Sequence, residues 1–465
     1  MNSVPPALTD NDGLARGLEQ SPALGRERQN VSFAADEARI MLTTTCHSPS
    51  VALLAIGFAN NGCAVSVLGP RDHPARKARA ISRCLSYSAL RPLHSIEAAV
   101  AAARPDLVIP CDERAVRHLH WLHAASHSAA VRRLIERSLG NPGAYRLSEE
   151  RHALLIAAGE AGARVPTTQP VRNVADLVRW SRENPLPWVI KADGSWAGLG
   201  VRTVTSLHQA EQAFHEMTKP VTTLHALREV VLEHDLFWLR PWLARTRPAV
   251  SIQQYIAGTP ANIAVACWQG EVRGTTSVAA LAMEHENGPS TVVRMIENTE
   301  MVKAASTVVR ALGLSGFVGF DFVIERGTGA AYMIEMNPRS TPICHVRLGG
   351  RRDLVETIQS SLLQRTPRAT QPCTTSDTIA FFPHAWRHDP TSPALHAAFH
   401  AVPWDEPDLV RELMKAELRD RYWLTRQMRR AWNMWRRPEE HESQRPAERR
   451  SALDAGQQVR EVVEA

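Results

Sequence analysis

The 465-residue sequence has no apolar run long enough to cross a bilayer: the longest, Val51 to Ala59, is nine residues and stops at Asn60-Asn61, where about 20 are needed. The N-terminus, MNSVPPALTDNDG, has no charged start followed by an apolar core, so no secretory signal is expected. Cysteines are few and scattered. The seven (Cys46, Cys63, Cys84, Cys111, Cys267, Cys344, Cys373) are an odd number with no CxxC pair. That argues against a disulfide framework or a zinc site and predicts a reducing compartment, so a cytoplasmic location is expected. No G-x-G-x-x-G follows the first strand pattern, which argues against a dinucleotide site there. No internal repeat is visible. Apolar residues are 44% of the chain and charged residues 22%, which excludes a fully disordered or fibrous protein. The length suggests about three compact units.

Residues 1–36 are polar, with Pro5-Pro6 and no apolar period, and read as a disordered tail. Ala38 to Thr43 has a strand pattern, Pro49 to Asn60 a helical one, and Ala64 to Leu68 a second strand pattern. The helix Ile96 to Ala103 and the apolar run Asp106 to Pro110 continue the rhythm and predict a parallel α/β unit over 37–140. Its strand ends carry Thr43-Thr44-Thr45 and Cys111-Asp112-Glu113, where open α/β sheets place ligand contacts and where ordinary polar loops also lie. From Ser148 to Ala161 the pattern predicts a longer helix with Ser148 as its N-cap. Strand patterns follow at Trp188 to Lys191, Val201 to Thr205, Ser251 to Ile256 and Asn262 to Trp268. Residues 219–249 form a helix-prone, aromatic insertion.

Two segments carry chemistry. The first places Lys191 at a strand end, with Gly194, Gly198 and Gly200 in the loop beyond it. Glycines let backbone N–H groups turn toward an anion, and an ammonium adds a point charge. The spacing is not that of a P-loop, and a plain turn between strands remains open. The second is GFVGFDFVIERGTGAAYMIEMNPR, Gly316 to Arg339. Phe317 to Ile324 and Ala331 to Met336 read as two strands around a turn holding Gly327 and Gly329. Asp321 and Glu335 are equidistant from Thr328, so the simplest hairpin sets them opposite one another. Like charges so placed repel, and a divalent cation removes the repulsion. With the amide oxygen of Asn337 they form a hard-oxygen set suited to Mg²⁺. Arg339 adds a guanidinium fork for a phosphoryl group.

In these segments the sequence resembles the ATP-grasp superfamily, over about residues 145–350. The pieces occur in order: the helix near Glu150, the lysine strand with Lys191, the glycine loop, the strand Ile252-Gln-Gln-Tyr-Ile-Ala-Gly258, and Glu335-Met-Asn-Pro-Arg339. The resemblance implies an α/β and α+β protein. An N-terminal parallel unit precedes a two-lobed ATP-grasp fold over 141–375, followed by a helical C-terminal extension over 376–437 and a flexible tail over 438–465. It implies ATP between the lobes with Mg²⁺ (or Mn²⁺) on Asp321, Glu335 and Asn337. Lys191 contacts the nucleotide, the 194–200 loop closes over its phosphates, and Gln253, Gln254, Tyr255 and Ile256 line the adenine pocket. Two positions depart from the pattern. Arg151 stands where most relatives carry lysine, and Thr259-Pro260-Ala261-Asn262 stands where many place a ribose-binding glutamate, with Asn262 as the substitute.

The activity so implied joins a carboxylate to an amine through an acyl phosphate, releasing ADP and phosphate. Carbamoyl-phosphate or carboxylase chemistry, and a degenerate ATP-binding scaffold, stand as alternatives. Arg294 either points into the site toward a phosphate or lies on the surface. His345 and Arg347 follow the metal element and either face the substrate or do not, and Cys344 reads as a buried thiol. The partners expected are small-molecule carboxylate and amine substrates, not nucleic acid; oligomeric state is not encoded in any pattern visible here. The formal charge of +6 is local: between Arg419 and Arg437 lie seven arginines and one aspartate. Leu418, Tyr422, Thr425, Met428, Trp432 and Trp435 recur there at helical spacing. That amphipathic stretch, 418–437, either docks on the protein's own body or contacts a membrane surface or protein partner.

Overall fold

The computed structural model describes residues 37–193, 200–232, 238–245, 247–285 and 288–415. The tail 1–36, the loop residues 194–199 with Gly194 and Gly198, the basic stretch 418–437 and the tail 438–465 lie outside the described residues.

The N-terminal unit is a parallel sheet of β1 (Arg39–Thr43), β2 (Ala64–Gly69), β3 (Arg83–Ser86) and β4 (Leu107–Pro110), in the order β3-β2-β1-β4. Helix Pro49–Asn60 joins β1 to β2. Pro49 pre-sets its first turn, and Val51, Leu54 and Phe58 are buried under the sheet. The chain order reverses between β1 and β4, so the carboxyl ends of those two strands open a crevice.

A second sheet consists of β5 (Thr168–Val171), β6 (Trp188–Ala192), β7 (Val201–Val204) and β8 (Val250–Gln254), ordered β5-β8-β6-β7 and antiparallel. Helices Val174–Glu183 and Leu207–Met217 cover one face, burying Trp180 and Phe214 against Trp188, Ile190 and Ile252. Such one-sided burial fits alternating strands.

The third sheet is the largest: β9 (Gly258–Trp268), β10 (Glu271–Met283), β11 (Ser290–Ile296), β12 (Gly316–Glu325), β13 (Ala331–Asn337), β14 (Thr378–Ala380) and β15 (Phe399–His400), in the order β13-β12-β9-β10-β11-β14-β15. Helix Thr299–Leu312 packs Met301, Ala305 and Val308 on one face, against Ile263, Val265, Phe320 and Phe322. On the other face Ala264, Ala266 and Phe317 meet Phe58 and Val355, joining the sheet to the N-terminal unit. Gly258 opens β9 where a Cβ would sit 2.0 Å from the carbonyl oxygen of Ile324, so only glycine fits.

Several expectations change. The predicted helix 148–161 is two helices, Tyr145–Glu149 and Arg151–Glu160, broken at Glu150. Ser148 does not cap the second; its hydroxyl donates to the carbonyl of Tyr145. The 376 boundary falls inside the large sheet, because β14 pairs with β11 and β15 with β14. Residues 220–247 belong to a separate compact unit, within the insertion read from the sequence. Helices Thr223–Leu232 and Leu239–Leu243 are tied there by Trp242, whose Nε1 donates to Thr223 Oγ1 at 3.1 Å. No helix among the described residues is long and apolar enough to cross a membrane.

Candidate active site

The hairpin β12–β13 sets Asp321 opposite Glu335. It does so through a feature the sequence did not disclose. Near the turn the ladder pairs Ile324 with Ala331 and Phe322 with Met333, a register that continued evenly would bring Ile334 to Asp321. A one-residue bulge at Ile334 advances β13, and Glu335 takes the place. The carbonyl of Ile334 accepts from Lys191 Nζ at 3.2 Å.

Asp321 is gripped from both sides. Asn262, its partner on β9, donates Nδ2 to Oδ1 at 2.6 Å, and Asn337 donates Nδ2 to Oδ2 at 2.8 Å. With their nitrogens on the aspartate, both amides keep their oxygens for another ligand. Burial pushes the Asp321 carboxyl above its usual range, and Glu335 adds to the push against the two amides. Among the described residues no group of three His, Cys, Asp or Glu is placed to hold a metal. The donor set is two carboxylates and an amide, which fits a hard cation that completes its shell with phosphate oxygens and water. Gly319 leaves room for this arrangement: a Cβ there would lie 2.4 Å from Thr341 Cγ2 and 3.7 Å from both Asn262 Nδ2 and Asn337 Cβ.

The basic groups converge on the same pair. Arg151, first residue of its helix, places Nη2 2.9 Å from Glu335 Oε1 and donates Nη1 to the carbonyl of Ala192 at 2.9 Å. The chain has five lysines, Lys77, Lys191, Lys219, Lys303 and Lys415; four are exposed and Lys191 is 5% exposed. Burial draws the Lys191 ammonium down to about 8, while Glu335 and Asp321 pull it back up and Arg151 lowers it further. Gly200 is tied to this strand, its carbonyl accepting from the Ala192 N–H at 2.8 Å.

The strand pleat sorts the remaining predicted residues. Gln253 pairs with Val189, two residues from Lys191, and so shares the lysine's face; its Nε2 donates to Thr168 Oγ1 at 3.1 Å. Gln254 pairs with Trp188 and therefore lies on the helix-covered face, which corrects its place in the adenine wall. Tyr255 is 40% exposed and Ile256 buried, just past β8. Asn262, expected at a ribose, has its amide nitrogen on Asp321 instead. Arg294 is also corrected. It pairs with Ala279, which continues the row of Ala261 and Phe322, whereas Asp321 shares its row with Asn262, Val278 and Met295. Neighbouring rows point to opposite faces, so Arg294 faces away from the carboxylates, with Asp377 3.9 Å from its Nε.

Arg339 is held by a residue that the sequence set at a strand end, where ligand contacts and ordinary polar loops both lie. Glu113 Oε1 accepts from Arg339 Nε at 2.7 Å and lies 2.6 Å from Nη2. Burial lowers the guanidinium's proton affinity and Glu113 more than restores it, leaving a net rise; the same contact outweighs burial in holding Glu113 below the usual carboxylate range. Cys344 is a buried thiol in contact with Thr341, and burial raises it. His345 is brought down to about 4 by burial, and Arg347 is exposed.

A family model of the ATP-grasp domain matches residues 236–342, a stretch that contains Asn262, Asp321, Glu335, Asn337 and Arg339. No curated protein matches the chain. Among solved structures, an N5-carboxyaminoimidazole ribonucleotide synthetase in an ADP complex is 15% identical, over 72% of this chain and 79% of its own, with a TM-score of 0.50. The Aspergillus clavatus N5-carboxyaminoimidazole synthase, in complex with ADP and its ribonucleotide, is 13% identical over 71% and 78%, TM-score 0.50. The biotin carboxylase domain of Hydrogenobacter thermophilus 2-oxoglutarate carboxylase, with MgADP, ADP and bicarbonate, is 13% identical over 71% of each chain, again at 0.50. Those identities speak for the fold, and the family match identifies an ATP-grasp domain over residues 236–342 of this chain.

Proposed function

We propose that this protein is an ATP-dependent ligase that joins a carboxylate to an amine through an acyl phosphate, releasing ADP and phosphate. The observation that carries the reading is the facing pair Asp321–Glu335, bracketed by Asn337 and approached by Lys191, Arg151 and Arg339. Two half-buried acids beside three basic side chains suit a polyphosphate with its cation better than either charge alone. Mg²⁺ held by Asp321, Glu335 and Asn337 supplies charge neutralisation to the phosphate oxygens. Lys191 adds an ammonium on the same face, and Arg339 offers N–H donors to the group in transfer. The substrate carboxylate displaces ADP from the γ-phosphorus; the amine then attacks the acyl carbon, phosphate leaves, and the amine proton passes to solvent or a base. The chain's part is to hold these groups in line and exclude water.

The test is ADP release by the purified full chain against pools of carboxylates and amines with Mg²⁺. Turnover that needs both a carboxylate and an amine, and that vanishes in Glu335→Ala, supports the reading. Turnover that depends on bicarbonate alone moves the protein to carboxyphosphate chemistry. Binding of ATP and Mg²⁺ with no turnover in any pool refutes a ligase.

A further inference from the structure

The mechanism above uses Arg339 and leaves Glu113 unexplained, although Glu113 is the side chain that decides where Arg339 points. A guanidinium has five N–H donors. Nε donates to Oε1 of Glu113, with Nη2 in ion-pair contact with the same oxygen at 2.6 Å, and Nη1 donates to the carbonyl of Ser340 at 3.1 Å. The two terminal nitrogens carry further N–H groups beyond these, and such donors form the fork that binds a phosphoryl or carboxylate group. Arg339 lies two residues past Asn337, whose Nδ2 donates to Asp321 Oδ2 at 2.8 Å, so the arginine follows directly on the carboxylate hairpin.

Glu113 is itself rigidly set. It opens helix Glu113–Ala125 directly after the N-cap Asp112, whose carboxylate accepts from Ala115 N at 2.8 Å, Thr45 N at 2.6 Å, Thr44 Oγ1 at 2.8 Å and Thr45 Oγ1 at 3.0 Å. Those bonds lock the end of β4 to the end of β1. A second tie runs beside the ion pair: the N–H of Ser340 donates to the carbonyl of Pro110, the last residue of β4, at 3.2 Å. The carboxyl edge of the N-terminal sheet therefore reaches Arg339 through one backbone bond and one charged pair.

We propose that Glu113 is a positioning residue for the reaction. It grips the inner edge of the Arg339 guanidinium so that the terminal fork faces the transferring group, and the N-terminal unit thereby completes the catalytic centre. The opposing account is that Glu113 merely neutralises Arg339 while the site is empty. The two differ in sign. If Glu113 masks the arginine, removing its charge frees the guanidinium and raises turnover. If it positions the arginine, removing its charge misaims the fork and lowers turnover.

The kinetic half of the test rests on the ligase reading; the spectroscopic half does not. In full-length protein, Glu113→Gln is expected to lower kcat for ADP release about 100-fold, the scale of a misplacement near 1 Å. The KM for ATP should stay within about twofold, because the hydrogen bond Glu113 accepts is from Arg339, which acts on the group in transfer, and Glu113→Asp should recover part of the loss. An unchanged or raised kcat in Glu113→Gln overturns the proposal. Independently of any substrate, the Nε–H resonance of Arg339, assigned by its loss in Arg339→Lys, should exchange slowly with water in the wild type. It should exchange at least about tenfold faster in Glu113→Gln, and recover in Glu113→Asp, at matched melting temperatures. Identical exchange in wild type and Glu113→Gln also overturns it. A wild type with slow exchange and no ADP release would sink the ligase reading and leave Glu113 holding Arg339.

Discussion

Replacing Lys191 with methionine should make the empty protein more stable at neutral pH. The ammonium is 5% exposed, and burial brings it from 10.5 in the unfolded chain to about 8 in the fold, despite the help of Glu335 and Asp321. The sign follows from proton counting. Between pH 8 and 10.5 the unfolded chain holds a proton that the native state has shed, so stability rises with pH across that window. Below pH 8 the whole penalty is present. At 1.36 kcal/mol per unit it is about 3 kcal/mol. Methionine removes the penalty and also the hydrogen bond to the Ile334 carbonyl, worth about 1 kcal/mol. The net gain at pH 7 is then about 2 kcal/mol, falling toward zero and turning to a small loss as pH approaches 10.5. Urea unfolding of wild type and Lys191→Met at pH 7, 8, 9 and 10 measures this, and the titrating groups distant from Lys191 cancel in the difference. A variant less stable than wild type at pH 7, or a difference flat with pH, would refute the reasoning. A lysine kept at such cost is the mark of a group retained for its charge.

Three further outcomes are expected. Asp321→Asn relieves the repulsion with Glu335, so its melting temperature without Mg²⁺ should rise while the shift caused by ATP and Mg²⁺ disappears; an undiminished shift would count against the cation site. Gly319→Ala drives a methyl onto Thr341 and should cost about 1–3 kcal/mol and weaken Mg²⁺-dependent ATP binding, both read by melting with and without ligand. Arg365→Ala strips both side-chain donors from Glu356, whose side chain is 2% exposed, and should cost about 3 kcal/mol in urea unfolding without altering ATP affinity.

Much of the site was legible because its chemistry is concentrated in short stretches. Asp321, Glu335, Asn337 and Arg339 occupy one hairpin and the turn beyond it, so counting residues around Gly327 and Gly329 was enough to bring the acids together. The count succeeded with the wrong register near the turn, since no local pattern announces a bulge at Ile334. What the sequence could not show are contacts made across long separations. Glu113 and Arg339 are 226 positions apart, and a lone glutamate after a strand looks like any helix-opening acid. The signal that existed was its place: it follows β4 at the strand edge next to the topological reversal. β10 escaped notice because Gly274 and its alanines dilute the alternating pattern, although the strand runs from Glu271 to Met283. Arg294 misled for the opposite reason. A basic residue in an apolar strand looks purposeful, and only the register across four strands reveals that it faces the other way.

The bulge at Ile334 makes two functions of one hairpin separable. At a bulge one residue of the strand drops out of the ladder, and its carbonyl becomes available to a side chain arriving from another sheet. Inserting a single residue yields such a carbonyl without giving up the pairing beyond it. Excising Ile334 would let Glu335 follow Met333 directly and still meet Asp321, while Lys191 lost its acceptor. A chain one residue shorter would therefore keep its acids facing and release its lysine, so the spacing between metal pair and ammonium is governed by the length of β13 and not by the identity of any residue in it.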